Sequence, residues 1–170
     1  YQDDVGNDTC VQCPSGWKAS LKGQHRCEEC EPGTREQENT RCEVCVPGQY
    51  MEFKASDTCA GCPAGWYTAL PKGSACLACD RGTFEQANTR CDDCVPGQFR
   101  AIEGNDTCVT CPVGWYTALP KASSCTSCIR GTFEQANTRC DDCVPGQFQE
   151  NTGTDACVTC PAGWHTPLPK

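Results

Sequence analysis

Every cysteine of this 170-residue chain belongs to a Cys-x-x-Cys pair, and the pairs recur with a fixed rhythm. They open at Cys10, Cys27, Cys42, Cys59, Cys76, Cys91, Cys108, Cys125, Cys140 and Cys157. The stretches between pairs run long, short, long (14–26, 31–41 and 46–58), and the same order then repeats. Three pairs therefore make one unit, and Cys10, Cys59, Cys108 and Cys157 open the same phase of it. Trp17, Trp66, Trp115 and Trp164 mark another phase four times. Gly82–Phe99 recurs unchanged as Gly131–Phe148, and Gly65–Lys72 as Gly114–Lys121, while the first copy has drifted. Self-similarity at a fixed period predicts a repeat array in which each unit contacts mainly its neighbours. The expected units are 1–49, 50–98 and 99–147, with a partial fourth at 148–170.

An array of this composition needs covalent support. Leu, Ile, Val and Phe together number 21 of 170 residues, too few to bury the apolar area that would offset chain entropy. Cysteine, at 20 residues, lies above the level that marks a disulfide scaffold. Most pairs are followed by a turn signal, as in Cys13-Pro14-Ser15-Gly16 and Cys45-Val46-Pro47-Gly48. There Pro presets one turn position and Gly accepts the positive φ of the next. Short runs such as Trp66-Tyr67-Thr68 have strand chemistry, and no segment sustains a helical apolar period. The expected fold is small, disulfide-rich and mostly irregular. Each interval carries one short β-hairpin, and the hairpins follow one another as an elongated, solenoid-like rod.

The motif Cys62-Pro63-Ala64-Gly65-Trp66-Tyr67-Thr68 resembles the ephrin-receptor-like cysteine-rich repeat, and more distantly the tumour-necrosis-factor-receptor module. The resemblance covers essentially the whole chain. It implies an extracellular, disulfide-laddered, elongated module, and names no ligand. The chain departs from the pattern in placing Trp after the Gly and in repeating with near identity.

Metal binding is the rival chemistry. Cys10-x2-Cys13-x13-Cys27-x2-Cys30 has the spacing of a four-cysteine zinc finger. Against zinc stand a net charge of −8, the absence of a basic recognition segment and two N-glycosylation sequons, Asn7-Asp8-Thr9 and Asn105-Asp106-Thr107. Parity also counts: a zinc site consumes two pairs, and the unit holds three. Crossed disulfide modules consume pairs two at a time as well. Sequence alone does not fix the connectivity. A ladder joining the second Cys of each pair to the first Cys of the next keeps the period. It gives Cys13–Cys27, Cys30–Cys42, Cys45–Cys59, Cys62–Cys76, Cys79–Cys91, Cys94–Cys108, Cys111–Cys125, Cys128–Cys140 and Cys143–Cys157. In the chain-entropy model each such loop is worth about 3 kcal/mol.

That ladder leaves Cys10 without an upstream partner and Cys160 without a downstream one. Unpaired thiols of an exported protein point to pairing between chains. The partners would sit in the next rung of a longer array, or Cys160 of one chain would join Cys10 of another, head to tail. A heterologous contact of that kind does not close and propagates a filament. No signal peptide is recognisable in these 170 residues, and Tyr1 is expected to be a start set either by processing or by where the segment was cut.

Other chemistries fit less well. Thiol oxidoreductases carry one Cys-x-x-Cys on a βαβ scaffold, not ten on a Pro/Gly-turn chain. His25 and His165 are the only neutral-pH bases and occupy different phases of the repeat, which argues against a hydrolytic triad. The acidic pairs Glu28-Glu29, Asp92-Asp93 and Asp141-Asp142 lack the ligand spacing of a calcium loop and read as solvated charge. Each Trp reads as a cover over a disulfide rather than a sugar platform. Scattered Lys and Arg exclude a nucleic-acid partner, and no apolar run is long enough to span a membrane. The sequence therefore predicts a non-catalytic extracellular structural glycoprotein without cofactor or metal. It would be the subunit of a filament, coat or appendage that self-associates and carries N-linked glycan at Asn7 and Asn105. The second reading is the stalk of a cell-surface receptor or adhesin.

Overall fold

A computed structural model describes residues 9–166. Asn7 lies outside the described residues. Every described element is a short strand, and the strands pair as nine antiparallel two-stranded hairpins, one per interval between cysteine pairs. Among the described residues there is no helix.

The chain gathers into two compact units. The first runs to Cys79 and includes Glu85–Cys91. It holds the hairpins β1 (Trp17–Lys18) with β2 (Glu28–Glu29), β3 (Thr34–Gln37) with β4 (Arg41–Val44), β5 (Gln49–Tyr50) with β6 (Ala60–Gly61), and β7 (Trp66–Tyr67) with β8 (Leu77–Ala78). The next hairpin, β9 (Thr83–Gln86) with β10 (Arg90–Asp93), lends its tip to the first unit and its base to the second. The second unit continues with β11 (Gln98–Phe99) and β12 (Val109–Thr110), β13 (Trp115–Tyr116) and β14 (Thr126–Ser127), β15 (Thr132–Gln135) and β16 (Arg139–Asp142), and β17 (Gln147–Phe148) and β18 (Val158–Thr159).

Register follows the repeat. Thr34 faces Val44 and Gln37 faces Arg41, and the same phase pairs Thr132 with Asp142 and Gln135 with Arg139. The longer hairpins are long because their tips turn tightly. Thr40 N donates to Gln37 O at 3.1 Å, and Glu38 and Asn39 both have φ of 53°. Two positive φ values in succession make a primed turn, whose twist matches that of the strands it joins. The Pro-Gly turns are of two kinds. In Val46–Gln49 the Pro stands second and the Gly third, with Gln49 N donating to Val46 O at 3.0 Å. In Pro14–Trp17 the Pro stands first, with Trp17 N donating to Pro14 O at 3.1 Å.

The core is sulfur and threonine. Cys13, Cys30, Cys45, Cys62, Cys79, Cys94, Cys111 and Cys128 are buried, each the N-terminal member of a disulfide. Met51 joins them, with Thr34, Thr68, Thr83, Thr117 and Thr132. A hydroxyl survives burial only with a partner. Thr34, Thr83 and Thr132 donate to the carbonyls of Glu31, Asp80 and Ile129, three residues back. Thr68 Oγ1 accepts from Gly48 N and donates to Gln49 O; Thr117 repeats this with Gly97 and Gln98.

Candidate functional site: the disulfide ladder and its locks

Nine disulfides close the hairpins: Cys13–Cys27, Cys30–Cys42, Cys45–Cys59, Cys62–Cys76, Cys79–Cys91, Cys94–Cys108, Cys111–Cys125, Cys128–Cys140 and Cys143–Cys157. Their Cα–Cα distances lie between 5.5 and 5.9 Å, in the ordinary range for a disulfide. Each bond runs from the cysteine ahead of a hairpin's first strand to its second strand: Cys42, Cys91 and Cys140 lie inside β4, β10 and β16, and the other six stand one residue before theirs. The backbone adds a second tie across the same interval, as in Cys45 N to Gly33 O at 2.8 Å and Cys62 N to Gly48 O at 2.9 Å.

Disulfides fix hairpins one at a time; hydrogen bonds from asparagine join one hairpin to another. Asn88, at the tip of β9–β10, turns its side chain back onto the preceding Cys-Pro-x-Gly-Trp turn. Its Nδ2 donates to the carbonyls of Cys62, Pro63 and Trp66 at 3.0, 3.2 and 3.0 Å. Asn39 does the same to Cys13, Pro14 and Trp17, and Asn137 to Cys111, Pro112 and Trp115. The Asn is itself held. Glu36, Glu85 and Glu134 accept its backbone amide through Oε1. Its carbonyl accepts from Ala19, Thr68 or Thr117 N at 2.8 to 3.0 Å. The sequence reading missed this lock, because Glu-x-x-Asn in a polar run reads as a solvated loop. The available signal was drift: Ala87 is replaced by Glu38 in the first copy, yet Asn39 is kept.

Glycine supplies a third lock. At Gly33 (φ 78°) a Cβ would stand 2.3 Å from Lys72 O, and at Gly82 (φ 76°) 2.2 Å from Lys121 O. The backbone passes so close that no side chain fits, and the φ is one that only Gly adopts at little cost.

The remaining candidate residues are placed as follows. Cys10 and Cys160 are free thiols, the first exposed and the second half-exposed. Asn105 is half-buried in the β11–β12 loop, and Asp106 and Thr107 of its sequon are exposed. His25 and His165 are exposed. Trp66 and Trp115 keep about two-fifths of their surface exposed. Among the acidic pairs, Asp141 is bridged by Arg139 at 2.9 Å and Glu28 by Lys18 at 3.1 Å. One open groove in the first unit is lined by Lys18, Glu28, Glu29, Glu31, Thr34 and Lys72, and holds no nucleophile paired with a base. Among the described residues, no three His, Cys, Asp or Glu side chains are grouped to hold a metal, and no helix is long and apolar enough to cross a membrane.

Electrostatic ties also join one hairpin to another. Lys54 Nζ lies 3.0 Å from Glu31 Oε1, and the hydrogen bond and charge of Glu31 raise the lysine above its ordinary 10.5. Ser15 Oγ donates to Asp57 at 2.7 Å and holds that carboxyl below its ordinary 3.8. Both groups are solvent-exposed, where such pairs add little to stability.

With hairpins, ladder and turns in view, the comparison with known families is direct. The model of the tyrosine-protein kinase ephrin type A/B receptor-like family matches residues 82–128 and 131–170. The chain belongs to the ephrin-receptor-like family. Its two matched segments begin at Gly82 and Gly131, one repeat period apart, at the glycine that the Lys121 loop crosses in the first of them. No curated protein sequence matches the chain significantly. The ephrin-receptor-like repeat is non-catalytic in itself, and its density of disulfides belongs to oxidising compartments.

Proposed function

We propose that this ephrin-receptor-like chain is an extracellular structural glycoprotein, a subunit of a filament, surface coat or appendage that forms by self-association. One observation carries the reading: the repeats are near-identical where the fold does not demand it. Gly82–Phe99 and Gly131–Phe148 match at every residue, exposed positions included. Identical surfaces at equal chain spacing suit regular packing of copies. The family and the disulfides support an extracellular site. N-linked glycan on Asn7 and Asn105 belongs to the same proposal.

The free thiols offer one route to assembly. Cys160 of one chain and Cys10 of the next would lose two protons and two electrons to the oxidising extracellular thiol–disulfide pool and form one S–S bond. Native material run without reduction tests the proposal. A series of polymers supports the filament, and a single monomer band with Cys10 and Cys160 both alkylated excludes the covalent head-to-tail form. A monodisperse monomer under native conditions overturns the filament itself. The second reading, a stalk that presents a ligand-binding domain, rests on the receptor in the family's description, and a monodisperse monomer is its expected result.

A further inference from the structure

In each unit backbone hydrogen bonds hold a loop that bears an exposed leucine beside a turn that bears an exposed valine. In the first unit Lys72 N donates to Cys45 O at 2.9 Å, and Gly48 N to Thr68 O at 3.0 Å. These anchors lay the Leu70–Pro71 loop beside the Val46–Pro47 turn. In the second unit Lys121 N donates to Cys94 O at 2.9 Å and Gly97 N to Thr117 O at 3.0 Å, which lays Leu119–Pro120 beside Val95–Pro96. Leu70 and Leu119 are 75% and 74% exposed, and Val46 and Val95 are 55% and 57% exposed. The four prolines are exposed as well.

These side chains have survived drift that their neighbours have not. Between the first and second copies, Ser20 stands for Ala69, Lys22 for Pro71 and Gly23 for Lys72, while Leu21 keeps the leucine of Leu70. Asp92-Asp93 replaces Glu43-Val44, while Val46, Val95 and Val144 keep the valine. Elsewhere exposed apolar positions change freely: Phe53 and Ile102 align with Asn151. A turn that uses only the valine carbonyl, and a loop whose leucine points to solvent, do not explain such retention.

We propose that the Val–Pro/Leu–Pro patches are self-association surfaces that bind a second copy of this chain. The charge pattern argues for that occupant. In the second unit Asp93 precedes the Val95 turn by two residues and Lys121 follows Leu119 by two, and both are exposed. An isologous contact sets Lys121 of one copy against Asp93 of the other while the apolar centres meet. In the first unit Val44, 47% exposed, takes the place of Asp93 and extends the apolar area. A second copy carries the same patches, so each has a like surface to meet. The inference rests on the self-assembly reading above and names its surface.

The test is sedimentation of the full chain, disulfides intact, over a concentration series, for wild type and for Leu70→Ser/Leu119→Ser. Both leucines lie outside the core, and retention of nine disulfides verifies the fold. Loss of a buried leucine from each contact weakens association by about 10-fold or more. Lys121→Asp should weaken it as well, and Lys121→Asp with Asp93→Lys should restore it. Wild-type polymers unaffected by the leucine substitutions overturn the patch and leave the filament standing. Wild type that stops at a dimer, and loses it in the leucine variant, supports the patch and overturns the filament. Wild type that stays monomeric at every concentration overturns both.

Discussion

Replacing Asn88 separates the two things that residue does. It holds a turn at φ 55°, and it donates two N–H hydrogens to three carbonyls. Asn88→Gly keeps the turn and deletes the donor. Two hydrogen bonds at about 1 kcal/mol each put the local cost near 2 kcal/mol. Asn88→Ala loses the same bonds and adds a left-handed conformation on a residue with a Cβ, about 1 kcal/mol more. Asn88→Asp keeps the shape and turns the donor into a carboxylate facing three carbonyl oxygens, so it should be less stable than the Gly variant. Global melting is a poor readout, because repeat arrays open locally and the disulfides survive heating. The Thr68 amide is a better one, since it donates to Asn88 O at 3.0 Å. Its hydrogen exchange should accelerate about 30-fold in the Gly variant, the factor for about 2 kcal/mol. Thr117, locked by Asn137 in the same way, serves as the control and should not change. Thr68 exchange within twofold of wild type in Asn88→Gly, or an Asp variant as protected as wild type, would refute the lock.

Three further outcomes are expected. Gly82→Ala, whose Cβ meets Lys121 O, should cost about 2–4 kcal/mol locally from overpacking and φ strain, whereas Gly61→Ala, with nothing within 4 Å and with Thr110 and Thr159 at its position in the later copies, should stay within about 0.5 kcal/mol; amide exchange at Lys121 and Gly61 reads both. Neither Asp57 nor Lys54 should give stability a slope between about pH 5 and 9, because the contribution of Asp57 is lost only as pH falls through its lowered value and that of Lys54 only as pH rises through its raised one; an acid-side slope that differs between wild type and Asp57→Asn checks the first half, and identical acid limbs would contradict it. Proteolysis without reduction, with cleavage inside the Cys-x-x-Cys motifs, should yield nine peptide pairs linked between neighbouring motifs, and mass spectrometry finding Cys10–Cys27 with Cys13–Cys30 would contradict that connectivity.

The hairpins were legible because their determinants are local. A Pro-Gly or Asn turn acts within its own few residues, and cysteine pairs set so closely along the chain leave room for one hairpin between them and little else. The family was legible for the same reason, in Cys62–Thr68. The locks were not, because they act across the period. Asn88 reaches back to the carbonyls of Cys62 and Trp66, in the hairpin before its own, and Gly82 meets the backbone of Lys121, two hairpins ahead. No window of local propensity contains both partners. Nor did the sequence say which cysteine of each bond is buried: in the first eight bonds it is the N-terminal one, the second Cys of its pair, while its partner stays half-exposed.

The locks also sort the surface. A residue retained through drift because the fold needs it has a partner in the structure: Asn39 with Cys13, Pro14 and Trp17, Gly33 with Lys72, Thr34 with Glu31. Once those are set aside, an exposed side chain that is retained and points to solvent needs another reason. Leu21, Leu70 and Leu119, with Val46, Val95 and Val144, are such residues: large, apolar, repeated and largely exposed. A fold stapled by nine disulfides does not depend on burying them. An exposed leucine in a soluble setting lowers solubility, and the net charge of −8 counteracts that. Side chains kept at such a disadvantage, in a chain that could replace them without unfolding, are the ones the proposed self-association surface would use.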